Sequence, residues 1–269
     1  MRDTDSELTS VSTGQSTVRG SQSVRRALDV LSLVASWDRT GGLALSAIAE
    51  ASGLAKPTAH RIVAELVHSG YLEQAGDRRY HLGPESYTIG SAAEHRYGLK
   101  QQSLASVVRL ARQSEDSAFV SIRSGTHSVC LHREEGTWPI RSHVLQAGDR
   151  HPLGIGAAGL ALLAAHPRNL VASLLASNEG EIRRRYPDIS TAYLLSQVET
   201  TRQSGIAVNE GMVVPDSWGI GIVVRNPAGE PALALSIAAV ASRMTSERQG
   251  RLCAMLREEA SRLSAQLRE

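Results

Sequence analysis

Three groups of residues in this chain combine types and spacings that could carry chemistry. The first is Lys56, Thr58, His60 and Arg61, polar and cationic side chains crowded at the start of one apolar-periodic segment, with Arg78 and Arg79 further on. Such side chains suit phosphate oxygens and the edges of bases. The second is Gly154-Ile155-Gly156-Ala157-Ala158-Gly159, which has the GxGxxG spacing of dinucleotide-binding turns, with Glu179 20 residues beyond, where a ribose-binding acid would stand. The third is Cys130 and His132, alternate residues of one apolar stretch, with His127 close by, donors of the kinds that ligate zinc.

Two of these groups weaken in context. A dinucleotide turn follows directly on a buried strand, whereas Asp149-Arg150-His151-Pro152, a polar segment with a proline, precedes these glycines. What survives is the physical content: small residues leading into a helix let a ligand approach free backbone N–H groups, which favour carboxylates. For Cys130, His132 and His127 no further donors can be identified, so structural or surface roles and no bound metal are expected. No GxSxG, SxxK or HExxH pattern occurs, and Ser217 and Ser236 have no assignable base. Neither an enzyme nor a cofactor is expected.

The bulk numbers are those of an ordinary globular protein: 269 residues, 42% hydrophobic, 21% charged and a formal charge of +2. Aromatic residues are only 4%, with one Phe, so Leu, Val, Ile and Ala must build the cores. Cations and anions nearly cancel between Arg19 and Arg96, so any nucleic-acid argument rests on where the charges sit. Two distant cysteines, no export signal and no apolar run of membrane-spanning length place the expectation on a reducing cytoplasm and exclude a membrane partner.

The elements that must position the first group follow from periodicity. Residues 1–21 are rich in Ser, Thr, Asp and Gly and predict a disordered tail. Val24, Ala27, Leu28, Leu31, Val34 and Ala35 recur at helical spacing from Ser23 to about Trp37, before a turn at Asp38 to Gly42. A short helix with Ile48 and Ala49 inward precedes Gly53, suited to the left-handed residue past a helix end. The next helix has Pro57 at its first position and Ile62, Val63, Leu66 and Val67 as its buried stripe, ending at Gly70. Strand-like pieces at Tyr71 to Glu73 and Tyr80 to Leu82 flank the polar turn Ala75 to Arg79. Helix, helix, turn, helix, hairpin is the order of a winged helix-turn-helix over residues 22–83. Lys56, Thr58, His60 and Arg61 then start the recognition helix, and Arg78 and Arg79 form the wing tip. A polar helix face alone would be an ordinary solvated surface. The ordered set, with cations at both helix and wing, favours double-stranded DNA over protein docking.

Residues 84–98 predict a linker helix weakened by Gly90, and 99–269 a larger α+β domain. Helices are expected at Leu99 to Ser114, Ala157 to Ala165, Arg168 to Ala176 and Ala192 to Ser204. Strands are expected at Ser117 to Arg123, Ser128 to His132, Ile140 to Leu145, Gly219 to Arg225 and Leu233 to Val240. A last helix opens on the capping-box-like Ser246-Glu247-Arg248-Gln249 and carries Leu252, Leu256, Leu263 and Leu267.

With these elements placed, "SQSVRRALDVLSLV", "SAIAEASGLAKPTAHRIVAELVHSGYLEQ" and "RRYHLG" resemble the DNA-binding domain of the IclR family of bacterial transcriptional regulators. "HPLGIGAAGLALLA", "TRQSGIAVNEGM" and "NPAGEPALALSI" resemble, in the right order, that family's effector domain, an α+β fold related to GAF domains. The resemblance runs from about Ser23 to the end. It implies a homodimer, often paired into a tetramer, on a pseudo-palindromic operator controlling a metabolic operon. It also implies a small organic effector lined by Leu153, the backbone of Gly156, Ala157 and Ala158, Asn209, Ser217, Trp218, Gly219, Ser236 and Ala238. Ser236 and Ala238, two apart, share one face of their strand. Family members often have acidic residues around Asn209, a cysteine near Gly219 and a polar residue at Ala238. Their loss here predicts a larger or more apolar effector than a two-carbon acid, an aromatic or longer-chain metabolite against which Trp218 would stack, the alternative being that Trp218 faces the core and the effector is small. The reading set against this one is a metabolite-binding protein whose winged helix makes protein contacts.

Overall fold

The computed structural model describes residues 21–37, 41–140 and 145–267. Residues 1–20 of the expected tail and residues 38–40 of the first turn lie outside them. The chain divides into two compact units, through Thr88 and from Ile89 onward, and the division falls inside one helix.

The first unit is α1 (Gln22–Trp37), α2 (Leu45–Ser52), α3 (Lys56–His68), β1 (Leu72–Gln74) and β2 (Tyr80–Leu82). Its core gathers Val30, Val34, Ile48, Val63, Leu72 and Tyr80. Gly53 ends α2 at φ +66°, in the left-handed conformation where a Cβ is strained. Lys56 takes the first position of α3 and Pro57 the second, one later than expected. Leu72 pairs with Leu82 and Gln74 with Tyr80, and a bridge from Leu43 to Tyr80 fastens the hairpin to the turn before α2. The stripe predicted for α1 is corrected: Val30 and Val34 are buried, whereas Val24 and Leu28 are 59% and 57% exposed. Only the second half of α1 reaches the core, so helical spacing marks a continuous apolar face without marking where its cover ends.

α4 (Pro84–Tyr97) is continuous through Gly90. In the second unit come α5 (Leu99–Ser114), β3 (Ser117–Ser124), β4 (His127–Glu134), β5 (Arg150–Pro152), α6 (Gly156–Ala164), α7 (Arg168–Arg185) and α8 (Thr191–Ser204). β6 (Ala207–Glu210), β7 (Ser217–Arg225), β8 (Pro231–Val240) and α9 (Ser246–Gln266) complete it. The strands form one antiparallel sheet in the order β5-β4-β3-β8-β7-β6. Alternation along β8 assigns the two faces. Leu233, Leu235 and Ile237 join Leu110 of α5 and Leu252 and Leu256 of α9 in one core, while Ala234 joins α6, α7 and α8 in another.

Several expectations for this unit change. Of the strand predicted at Ile140 to Leu145, residues 141–144 lie outside the described residues, and Ile140 and Leu145 are not strand. β5 and β6 are edge strands that the expected elements do not include. α7 runs nine residues past Ala176, because Asn178, a helix-ending type when exposed, is buried here and donates from Nδ2 to the Thr126 carbonyl at 2.7 Å. The cap of α9 is Thr245, whose hydroxyl accepts from the Arg248 N–H at 3.3 Å, and not Ser246.

Candidate functional site

The first unit presents α3 as its polar face. Lys56, His60 and Arg61 are exposed and Thr58 is half-buried, while Ala59 and Val63 turn into the core. Arg61 lies near the middle of the exposed arc, opposite Ala59 and Val63. The N-cap residue Ala55 has no side-chain acceptor, so the positive end of the helix stays open to an anion beside Lys56. The two wing arginines are not equivalent. Arg78 is exposed at φ +62°, the last residue of the turn that Gly76 and Asp77 make at the end of the hairpin. Arg79 donates from Nη1 to the Gly42 carbonyl at 3.0 Å, and its backbone N–H donates to Asp77 Oδ1. Arg79 therefore holds the wing to the turn before α2.

The second unit encloses a cavity between α6 and the α6-facing side of the sheet. α6 starts at Gly156, with φ +72° and the uncapped residue Ile155 before it. The first-turn N–H groups of Gly156, Ala157 and Ala158 thus have no side-chain acceptor and border the cavity. Asn209 on β6 pairs in register with Gly219 on β7, and Gly219 with Ala238 on β8, which aligns three wall residues across three strands. Asn209 accepts the Met212 N–H on Oδ1 at 2.8 Å. Its Nδ2 and the Ser236 hydroxyl have no protein partner among the described residues. These donors converge on one region, which suits an anionic oxygen pair. The walls leave about 30 Å³ for water, room for about two molecules. Val213, from the loop between β6 and β7, lies against Gly156.

Of the expected pocket residues, Gly156, Ala157, Ala158, Asn209, Ser217, Gly219, Ser236 and Ala238 line this cavity. Two do not. Leu153 is fully buried in the core beneath α6, α7 and α8. Trp218 stands between Ser217 and Gly219, so strand alternation turns it to the opposite face, where it packs on the α5–α9 core. Of the two places open to Trp218, the core is the one it occupies, away from the cavity. The sequence reading missed the far wall, made by Phe119 and Ser121 on β3, Ser128 and Cys130 on β4 and His151 on β5. The polar segment before the glycines is thus itself a strand, but a three-residue antiparallel edge and not the buried parallel strand of a dinucleotide fold.

That wall is backed by α7. His151 Nδ1 lies 2.5 Å from the Tyr186 hydroxyl. Burial, reinforced by the Arg185 cation, depresses the His151 pKa to about 4, so the ring is neutral at neutral pH. His127 Nε2 lies 3.0 Å from Glu181 Oε2, and this hydrogen bond, with that from Arg185, lowers the Glu181 carboxyl to about 2. His132 pairs with Glu134 at 3.2 Å, while Cys130 is buried against Phe119 and Ala238. Among the described residues no group of three His, Cys, Asp or Glu side chains is placed to hold a metal ion, and no helix is long and apolar enough to cross a membrane.

A winged helix-turn-helix with a cationic recognition helix, followed by an α+β unit with a donor-lined cavity, defines a DNA-binding regulator. Comparison with known proteins makes this specific. Residues 23–76 match the IclR helix-turn-helix domain, and residues 91–265 match the bacterial transcriptional regulator IclR C-terminal domain. The chain belongs to the IclR family of transcriptional regulators. It is 29% identical over 251 residues to the transcriptional regulator BhcR of Paracoccus denitrificans, covering 91% of this chain and 87% of that one. In fold it resembles an IclR regulator from Silicibacter sp. TM1040, with TM-score 0.77 and 23% identity over 91% of this chain and 95% of that one. It also resembles an IclR homologue from Microbacterium hydrocarbonoxydans complexed with 4-hydroxybenzoate, with TM-score 0.70 and 20% identity over 90% of this chain and 98% of that one.

Proposed function

We propose that this regulator binds a pseudo-palindromic operator as a homodimer, able to pair into a tetramer, and responds to a small organic carboxylate held in the cavity of its second unit. Lys56, Thr58, His60 and Arg61 read the major groove, and Arg78 contacts phosphate from the wing. The observation that carries the effector reading is the convergence of the uncapped α6 N–H groups with Asn209 Nδ2 and the Ser236 hydroxyl in one enclosed site. Phe119, Cys130 and Ala238 supply an apolar body beside those donors, which favours an aromatic or longer acid over a two-carbon one. The 4-hydroxybenzoate complex of the Microbacterium homologue supports that class. With room for about two waters as it stands, the cavity takes such a molecule only if its walls move apart, and Val213, lying against Gly156, is one wall that would have to shift. Exposed Val24 and Leu28 on α1, and Tyr87 at 79% on α4, support self-association there. One winged helix reads too few base pairs for genomic specificity, which a two-fold pair provides. Control of a catabolic operon from the cytoplasm fits this chemistry.

The test is fluorescence anisotropy with DNA from upstream of the protein's own gene, with and without a panel of aromatic and aliphatic acids. Salt-dependent binding that one acid shifts at least tenfold is the expected result. Tight DNA binding that no acid alters would overturn the effector reading, and a monomer by light scattering at micromolar concentration would overturn the dimer.

A further inference from the structure

The residues that line the cavity come from all six strands, including Asn209 on β6 and His151 on β5, the two edge strands. The ends of the cavity differ in chemistry. One end holds the α6 N–H groups, Asn209 Nδ2 on β6 and the Ser236 hydroxyl on β8, a set of donors for a carboxylate. The β5 end holds His151, whose Nδ1 is taken by Tyr186 while its Nε2 has no protein partner among the described residues. The ring is half-buried at the cavity and Nε2 is not sealed from water, so it is open to a ligand that displaces that water. Tyr186 is itself held: it caps α7, its N–H donates to the Ile182 carbonyl at 2.7 Å, and the Arg185 guanidinium lies 5.5 Å over its ring.

We propose that His151, fixed by Tyr186, is a second polar anchor of the cavity, and that the effector is a hydroxy acid whose carboxylate sits at α6 and whose hydroxyl bonds to the His151 ring. This rests on the reading of the cavity as the effector site. Of the charged groups near the ring, Arg185 and the His127–Glu181 pair lie on α7 and β4, while Asp149, whose Oδ2 accepts the Gln146 N–H at 2.7 Å, lines the cavity itself. Burial and Arg185 keep the imidazole uncharged, so it offers no cation to a second carboxylate and a diacid would leave one end unpaired. A neutral ring presents Nε2 either as N–H or as a lone pair, depending on which way the Tyr186 hydroxyl points. A ligand hydroxyl, both donor and acceptor, matches either state. An acid with only a methyl or hydrogen there would strand the ring nitrogen, which is how buried polar sites reject analogues lacking one group.

Matched probes test this: benzoate against 4-hydroxybenzoate, and hexanoate against 6-hydroxyhexanoate, titrated calorimetrically into the full chain. At least one hydroxylated probe should bind about 5–10-fold more tightly than its partner. His151→Phe should abolish that preference, and Tyr186→Phe should reduce it. Because His151→Phe could perturb folding, the wild-type protein labelled with ¹⁵N-histidine provides a second readout. The His151 ring resonance, assigned by its loss in His151→Gln, should move with the hydroxylated probe and stay in place with the plain one. Equal binding of both members of every pair, or a preference surviving His151→Phe, overturns the His151 assignment alone. Failure of all four acids to bind at millimolar concentration overturns the effector-cavity reading, and this assignment with it.

Discussion

Arg79 donates from its guanidinium to the carbonyl oxygen of Gly42 at 3.0 Å, while Arg78 beside it in the sequence is exposed in the turn of the wing. Two adjacent residues of one type therefore have different mechanical roles. Gly42 tolerates this close packing because it has no side chain: at its φ of +70° a Cβ would stand 2.6 Å from the Tyr80 carbonyl oxygen.

The two arginines should separate experimentally. Arg78→Ala should leave thermal stability unchanged and lower the slope of log affinity against log salt by about 1, as loss of one phosphate contact does. Arg79→Ala should lower the stability of the first unit by about 1 kcal/mol, since the Gly42 carbonyl loses a charged donor. Anisotropy at several salt concentrations and thermal denaturation measure both. If Arg79→Ala lowers the salt slope as much as Arg78→Ala at unchanged stability, the tether to Gly42 does not govern the wing.

Arg61, at the middle of the exposed arc of α3, should act differently from both. Arg61→Ala is expected to cost roughly 1–3 kcal/mol of operator affinity and to relax specificity at one base position, because a base-edge contact carries sequence information and a phosphate contact does not. Binding selection on randomised operators compares the variants. An unchanged preference at every position would remove Arg61 from the groove.

What the sequence made legible was local. The α2 end at Gly53, the existence of the wing hairpin and the buried leucines of α9 follow from periods of 3.6 and 2 and from one left-handed glycine, although β1 starts one residue later than expected. Contacts between distant segments were not legible. No spacing announces that His151 and Tyr186, 35 residues apart, will meet. Nor does β6 advertise itself, since Ala207-Val208-Asn209-Glu210 is too short to show a period and is a strand only because β7 pairs with it. The side taken by Trp218 is readable from alternation. Its neighbours face the cavity, and the alternation that put Ser236 and Ala238 on one wall, applied to β7, excludes Trp218 from it.

The acid behaviour of the second unit should follow from the same wall. His151 titrates near 4 in the folded state against an ordinary value of 6.5, so between those limits the unfolded chain binds the extra proton. Stability should therefore fall as pH drops from about 6.5 towards 4, by on the order of 3 kcal/mol for this group. Glu181, depressed to about 2 from 4.5, adds a further loss below pH 4.5. Urea denaturation from pH 7 to pH 4 measures the slope, which His151→Gln should flatten. An equal slope in wild type and His151→Gln would show that the ring is not buried as described.

Two glycines of β7 should divide packing from ligand binding. At Gly221 an added Cβ would meet the backbone carbonyl carbon and oxygen of Ala157 at 2.9 Å, so α6 must lift from the sheet. Backbone cannot yield as a side chain does, and Gly221→Ala should cost about 1–3 kcal/mol of stability. At Gly219 the Cβ would lie 3.2 Å from the Ala157 Cβ and 3.8 Å from Asn209 Nδ2, inside the cavity wall. A shift of a few tenths of an ångström relieves that contact, so Gly219→Ala should fold with nearly wild-type stability. Its methyl group stands among the donors assigned to the effector carboxylate, so affinity for any acid the wild type binds should drop at least severalfold. Melting curves and calorimetric titration of both variants check this. Gly219→Ala that binds such an acid as tightly as wild type would move the carboxylate away from β7, and Gly221→Ala with unchanged stability would mean that α6 does not pack on β7 as closely as 2.9 Å requires.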